Sequence, residues 1–136
     1  MATPSTIALT GFISWALFLL VWMEAIRSQL VLSGKVPANG FTPDNAGLSP
    51  FMQRLARAHA NCVEGIPIFG GLLLVAIATG RGAVTDPLAY AFLACRIIQS
   101  LVHLTSLSAT AVKLRFTAFG AQMAMAVYWA FRLLAG

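Results

Sequence analysis

Charge is scarce in this sequence of 136 residues, and acidic charge is scarcer still. Only 10% of the residues are charged, with four Asp and Glu against nine Lys and Arg, while 59% are hydrophobic. A typical soluble domain carries about 25% charged residues. The composition therefore excludes an ordinary soluble domain and predicts an integral membrane protein that forms one domain over residues 1–136 and contacts membrane lipids.

Two further absences narrow the functional classes. The net charge of +5 is spread over several segments, and no run of Lys and Arg is interleaved with aromatic residues. This pattern argues against nucleic-acid binding. The two cysteines, Cys62 and Cys95, have no second cysteine or histidine at metal-ligand spacing. We therefore predict neither a metal site nor a disulfide framework.

Four apolar stretches predict an all-α, four-helix membrane bundle. Pro67 lies inside the second stretch, so we expect a kink there and a free carbonyl near Val63. The polar stretch 33–50 holds three prolines and three glycines, which predicts a long loop. The predicted helices cover residues 4–32, 50–79, 87–110 and 111–134, each of the first three opening on a proline.

Positive charge is distributed unequally between the two ends of such a bundle. With four helices both termini lie on the same side, opposite to the loops that join helices one to two and three to four. Because positive residues favour the cytoplasmic face, we predict that these two loops are cytoplasmic and that the termini are outside. The loop face carries Lys35, Arg54, Arg57, Lys113 and Arg115, and the opposite face only Arg81 and Arg132.

Polar residues on the second and third helices match in depth. Arg57, Asn61 and Glu64 are spaced by four and three residues, so they share one face of the second helix. Three polar residues of the third helix also share a face. Counted from the cytoplasmic helix ends at about 1.5 Å per residue, the residues at equal depth are Arg57 with His103, Asn61 with Gln99, and Glu64 with Arg96.

The simplest interpretation of the deepest level is an ion pair. Glu64 would neutralise Arg96 and so lower the cost of placing either charge in a membrane. A second pair, Glu24 and Arg27, is spaced for contact on the first helix. This second pair is either an interfacial ion pair or a sign that Arg27 lines a polar site.

The remaining arginines at this end lack enough carboxylates. Arg54, Arg57 and Arg115 suit an anionic ligand, because guanidinium groups bind carboxylates with two hydrogen bonds. The alternative is contact with lipid headgroups. His103 would either hydrogen-bond a ligand thiol or act as a base, or it is a histidine satisfied between helices.

The segment RLARAHANCVEGIP closely resembles the second-helix signature of the MAPEG family, the membrane-associated proteins of eicosanoid and glutathione metabolism. The family pattern Arg-Ala-x-x-Asn-x-x-Glu-x-x-Pro falls on Arg57, Ala58, Asn61, Glu64 and Pro67. Chain length, helix number and the long loop before the motif also agree. The resemblance therefore extends over nearly the whole chain.

The resemblance implies a homotrimer of four-helix protomers that uses glutathione as co-substrate. Family enzymes bind it in clefts between neighbouring subunits, open toward the cytoplasm. Arg115 looks like the family arginine that stabilises the glutathione thiolate. The residues that fit the other glutathione-binding positions are Arg57, Asn61, Glu64, Arg96 and Gln99.

Two departures from the family pattern bear on activity. Many catalytic members have a tyrosine where this chain has His103, and leukotriene-synthase-like members have another where it has Gly65. Eicosanoid synthesis is therefore not supported. The first hypothesis is a glutathione-dependent membrane transferase or peroxidase that acts on lipophilic electrophiles or hydroperoxides, with Arg115 and His103 as its catalytic residues.

Two alternatives to an enzyme remain. One is a non-catalytic membrane subunit or lipid-binding scaffold of the same family. The other is a small transporter. The polar residues inside the bundle fit a transporter, but the sequence lacks the two halves with matching broken helices that transporters commonly have.

Overall fold

Four long helices make up most of the protein. The computed structural model describes residues 2–136, and within them no strand occurs. The helices are α1 (Pro4–Leu32), α2 (Pro50–Ala78), α3 (Gly82–Thr105) and α4 (Ala109–Leu134). The predicted all-α, four-helix architecture is confirmed.

The first two helices begin at the residues that the sequence predicts. The Thr3 side chain accepts a hydrogen bond from the Thr6 backbone N–H, and the Thr6 hydroxyl oxygen accepts one from the Thr3 N–H. At the start of α2 the Ser49 hydroxyl accepts from the Met52 N–H at 3.2 Å. The helix ends before Gly80, whose φ of +70° is a conformation that glycine adopts without strain.

Pro67 is accommodated by a widened turn of α2. The segment Ile66–Gly70 is π-helical, a geometry that is common at such insertions. The Ile66 N–H donates to both the Cys62 and the Val63 carbonyls. The carbonyl of Val63, expected to be free, is therefore bonded one residue earlier than in a regular helix.

The third helix starts earlier than predicted. It begins at Gly82, so Pro87 lies inside it rather than at its first position. A proline near a helix start removes only one helical hydrogen bond, which the following turns tolerate. Asp86, the residue before Pro87, accepts hydrogen bonds from the Ser5 backbone N–H at 3.0 Å and from the Ser5 hydroxyl at 2.5 Å. It thereby ties α3 to the start of α1.

The boundary between α3 and α4 also differs from the prediction. The third helix ends at Thr105 rather than near residue 110, because Ser106 is extended (φ −157°, ψ 150°). The Ser108 hydroxyl then accepts from the Ala111 N–H at 3.1 Å and starts α4 at Ala109. Serine favours such caps because its short side chain bonds to the neighbouring backbone.

The first three helices are long and apolar enough to cross a membrane. The fourth has 26 residues, a length of about 39 Å at 1.5 Å per residue. Its apolar sequence is interrupted by Lys113, Arg115, Gln122 and Arg132. Spanning by α4 remains a prediction from length and from the bundle it completes.

An aromatic cluster joins all four helices in the middle of the bundle. The Phe92 ring of α3 lies with its centroid 5.6 Å from Phe12 of α1, 5.4 Å from Phe69 of α2 and 5.6 Å from Trp129 of α4. Each of these four residues is less than 5% exposed. Aromatic pairs at these spacings stabilise by packing, which is the main attraction between helices in a membrane.

The long loop between α1 and α2 is held by Arg27 and Asn45. Arg27 pairs with Glu24 at 2.9 Å, as predicted. It also donates to the Asn45 side-chain oxygen from two nitrogens and to the Thr42 carbonyl. Asn45 is fully buried and donates to the Met52 carbonyl at 2.7 Å. Arg27 therefore anchors the loop, and it also lines a pocket of about 620 Å³ together with Glu24 and Phe41.

Replacing Asn45 by Ala should free this loop. The substitution removes the acceptor of Arg27 and the donor to Met52, and it places alanine at a φ of +57°. We expect a local loss of about 2 kcal/mol. Hydrogen exchange of the loop amides in detergent should accelerate, whereas Asn39→Ala, in the exposed part of the same loop, should leave it unchanged. Equal exchange in both variants would contradict the anchoring role.

Candidate functional site

Three side-chain amides and one arginine form a connected chain through the bundle. The Asn61 side-chain oxygen accepts hydrogen bonds from Arg96 Nη1 at 2.7 Å and from Gln99 Nε2 at 3.1 Å. Gln122 Nε2 of α4 donates to Gln99 Oε1 at 2.8 Å. Asn61 and Gln99 therefore lie at the same depth and in contact, as predicted. Gln122 connects α4 to this pair.

Gln122 was not among the residues predicted from the sequence. It is fully buried, and its side chain also donates to the Ala118 carbonyl at 3.1 Å. The signal was an isolated amide in the apolar stretch FGAQMAMAV. Such a residue in a membrane helix faces a polar partner, because an unbonded amide in an apolar environment is costly.

The predicted ion pair between Glu64 and Arg96 is wrong. Arg96 is fully buried, and its guanidinium carbon lies 5.1 Å from the Phe12 ring centroid and 5.4 Å from that of Phe69. Glu64 is exposed. Depth was matched correctly, but each helical residue turns by about 100°, so Glu64 points outward while its neighbour Gly65 faces Arg96.

Five of the predicted site residues meet at one cavity. Its volume is about 310 Å³, and it lies between α2, the end of α3 and the start of α4. This size is at the lower end of small-molecule sites. Besides Ala60, the cavity is lined by Arg57, Asn61, Glu64, His103 and Arg115.

The charged groups of this cavity are not neutralised within the protomer. The ion pair Arg27–Glu24 is the one found among residues 2–136. Arg57 and Glu64 are exposed, and Arg115 is half-buried. The Nε of Arg115 is buried yet has no hydrogen-bond partner in the described part of the chain. These groups are therefore available to a ligand.

Two other charged residues near this end have different roles. Arg54, expected among the surplus arginines, donates from Nε to the Leu104 carbonyl at 2.8 Å and so caps α3. Asp44 accepts from the Thr42 hydroxyl at 2.6 Å and from the Ala46 N–H at 3.1 Å. These hydrogen bonds, the Thr42 one foremost, lower the pKa of Asp44 below its usual range. Asp44 thus shapes the loop and forms no ion pair with Arg57.

An apolar pocket of about 430 Å³ continues from the polar cavity. Asn61 and Glu64 line both. A third, smaller pocket of about 190 Å³ includes Gln99 and Arg115, and again Asn61. The rest of the apolar wall consists of Gly65, Ile68, Phe69, Phe119, Met123, Ala126 and Val127.

No tyrosine lines these three pockets. Tyr90 is exposed on α3. Tyr128 accepts a hydrogen bond from Arg132 at 2.8 Å, near the end of α4 that is remote from the polar cavity. His103, buried to 7% exposure, is the ring side chain at the polar cavity.

The fold and the pockets define an integral membrane helical bundle with a charged cavity that adjoins an apolar one. The family model described as MAPEG family matches residues 5–135. The chain therefore belongs to the MAPEG family, as the second-helix signature indicates. Neither the curated proteins nor the solved structures gave a match to it.

Gly65 follows Glu64 in the second-helix signature and is closely surrounded by other side chains. A Cβ atom here would lie 2.9 Å from Arg96 Nη2 and 3.2 Å from the Phe69 ring. A larger residue would therefore displace the Arg96 guanidinium group or the Phe69 ring. The glycine and the buried arginine therefore depend on each other.

Replacing Gly65 by Ala should destabilise the bundle, because Arg96 or Phe69 must move away from the new methyl group. We expect a loss of about 1–3 kcal/mol, typical of overpacking. Gly71→Ala is the matched control, since a Cβ there meets nothing within 4 Å. Thermal unfolding in detergent should show a lower midpoint for the first variant only. An unchanged midpoint for Gly65→Ala would contradict the packing of Arg96 described above.

Proposed function

We propose that the protein is a glutathione-dependent membrane transferase or peroxidase acting on lipophilic electrophiles or hydroperoxides. The observation that carries this proposal is the meeting of Arg57, Asn61, Glu64, His103 and Arg115 at one cavity that continues into an apolar pocket. A charged co-substrate and an apolar substrate would then meet where the two pockets join. Family membership supports glutathione as the charged partner.

The charges of the cavity complement those of glutathione. Glutathione carries two carboxylates, one ammonium group and a thiol. Arg57 and Arg115 supply two guanidinium groups, which bind carboxylates or a thiolate, and Glu64 supplies a carboxylate for the ammonium group. Asn61 adds an amide. Since Arg96 does not neutralise Glu64, its carboxylate is available for this role.

The proposed chemistry needs a thiolate. In the transferase reaction the glutathione thiol loses its proton, the thiolate sulfur bonds to an electrophilic carbon, and a leaving group such as chloride departs. In the peroxidase reaction two glutathione molecules reduce one hydroperoxide to an alcohol and water and become the disulfide. Arg115 would stabilise the thiolate by its positive charge, and His103 would hydrogen-bond the thiol or accept its proton.

The exposed side of the cavity supports the homotrimer. Arg57 and Glu64 are exposed in the single protomer, so one wall of the site is open. A neighbouring subunit would close it and exclude water, which strengthens each charged contact. We further propose that this end of the bundle faces the cytoplasm and that the termini lie outside, because positive residues gather at the cavity end.

Replacing Arg115 by Ala should weaken glutathione binding strongly. Loss of one charged contact should raise the Kd about tenfold or more. Titration calorimetry on detergent-solubilised protein measures this value. Arg132→Ala removes a side chain that donates a hydrogen bond to Tyr128, far from the cavity, and should leave the Kd unchanged. If the wild type shows neither heat nor a thermal shift with glutathione, the proposed function fails.

One observation favours a non-catalytic alternative. The three pockets contain no tyrosine hydroxyl near the proposed thiol. Many catalytic members of the family have one. In this alternative the protein is a membrane subunit or a lipid-binding scaffold. It would co-purify with a larger complex and would not conjugate glutathione to an aryl halide.

Conjugation activity distinguishes the two proposals. If His103 acts on the thiol, His103→Ala should lower kcat by about a hundredfold, the low end for a positioned acid–base group. His59→Ala is the control, because His59 is half-buried and lines none of the three pockets. An active wild type with an unaffected His103→Ala variant would make His103 structural. An inactive wild type would favour the scaffold.

A further inference from the structure

The hydrogen bonds around Asn61 have only one consistent direction. Arg96 has no acceptor atom, so the Asn61 atom that faces it must be the oxygen. That same oxygen also faces Gln99, which must therefore present its nitrogen. Gln99 then has its oxygen on the far side, where it accepts from Gln122 Nε2.

The other end of the chain of amides imposes the same direction. Gln122 Nε2 also contacts the Ala118 carbonyl, which can only accept. If the Gln122 amide were turned over, its oxygen would face two other oxygens, those of Gln99 and Ala118. It keeps its present orientation even though its own Oε1 is buried without a partner among the described residues. Unpaired buried acceptors are costly, so the direction is strongly enforced.

This direction determines the role of the Asn61 side-chain nitrogen, Nδ2. Its Nδ2 donates no hydrogen bond to any side chain or backbone group described for residues 2–136, and Asn61 lines all three pockets. Because the oxygen is held by Arg96 and Gln99, the nitrogen is the atom left for the cavity. The site therefore offers a donor here and not an acceptor.

We infer that Gln122 is a positioning residue: it holds Gln99 in the orientation that lets Gln99 share the Asn61 oxygen with Arg96, so that the Asn61 N–H groups stay toward the cavity and select a hydrogen-bond acceptor on the ligand. The identity of that ligand rests on the proposed function, in which a carboxylate or the thiolate of glutathione accepts the bond. Gln122 itself lines none of the three pockets. It acts only through the two amides.

Gln122→Met tests this inference because it keeps the approximate size of the side chain, removes the donor and adds no ionisable group. Gln99 Oε1 then has no donor to hold it, so the Gln99 amide is free to turn over and direct its oxygen at Asn61. Asn61 is then drawn away from the ligand. In the otherwise wild-type protein we expect the Kd for glutathione to rise about tenfold, the effect of one hydrogen bond to a charged group.

A double-mutant cycle with Asn61→Ala separates positioning from a general structural effect. Without Asn61 the turned Gln99 has no amide to misdirect, and its oxygen can accept from Arg96. Gln122→Met should then change the Kd by less than about twofold, the usual limit of additivity. Gln53→Met is the matched control. Gln53 also donates to a backbone carbonyl, that of Leu48, but lies outside the chain of amides, and its effect should be the same in both backgrounds.

Thermal unfolding of the same proteins supplies a readout that needs no ligand. Gln122→Met should lower the unfolding midpoint more in the wild-type background, where Gln99 Oε1 is left without a partner, than in the Asn61→Ala background, although Gln122 and Asn61 share no hydrogen bond. Equal changes in both backgrounds, in Kd or in midpoint, would overturn the inference. If the wild type binds no glutathione, the proposed function fails, and the unfolding cycle alone decides whether Gln122 orients Asn61.

Discussion

A buried arginine without a carboxylate partner constrains the centre of this bundle. Arg96 is fully buried in a helix that is apolar enough to span a membrane. A charge in that position needs compensation. Here it is compensated by one neutral amide oxygen, that of Asn61, and by the faces of two aromatic rings. Three helices must therefore keep fixed positions around one guanidinium group.

This arrangement determines which groups are available for chemistry. Because Asn61 and the rings hold Arg96, Glu64 is not consumed as its counter-ion and can face the cavity with Arg57. Because the Asn61 oxygen is occupied, its nitrogen is left for a ligand. The close approach of Arg96 also requires Gly65. The glycine at position 65 and the free carboxylate of Glu64 are thus both consequences of the position of Arg96.

Much of the fold was predictable because helix ends carry local signals. Thr3, Ser49 and Gly80 mark helix limits by capping and by backbone conformation, which depend on neighbouring residues alone. The junction of α3 and α4 was misplaced because residues 104–112 contain neither glycine nor proline. Two serines form it, and serine is also common inside helices that cross membranes.

The site was predictable in depth but not in direction around the helix. The level of Asn61 and Gln99 follows from counting residues, since helix rise is nearly constant. The direction of Glu64 depends on which face of α2 packs against α3, and a rotation by one residue changes the partner of Arg96. Gln122 was not predicted from the sequence because it contributes the direction of a hydrogen bond and not a charge. Charges in a membrane sequence are conspicuous, whereas the orientation of a neutral amide is fixed only by neighbours that lie far apart in the chain.

The polar residues of the bundle form two groups with different roles, one inside the protomer and one at the cavity. The neutral amides and Arg96 lie inside the protomer, where their hydrogen bonds join α2, α3 and α4. The unpaired charges of Arg57, Glu64 and Arg115 lie toward the outer side of the same helices. An unpaired charge at the edge of a membrane bundle is stable only next to water, headgroups, a ligand or another subunit. The interior network therefore connects helices within the protomer, while the charges of the cavity are left for what binds beside them.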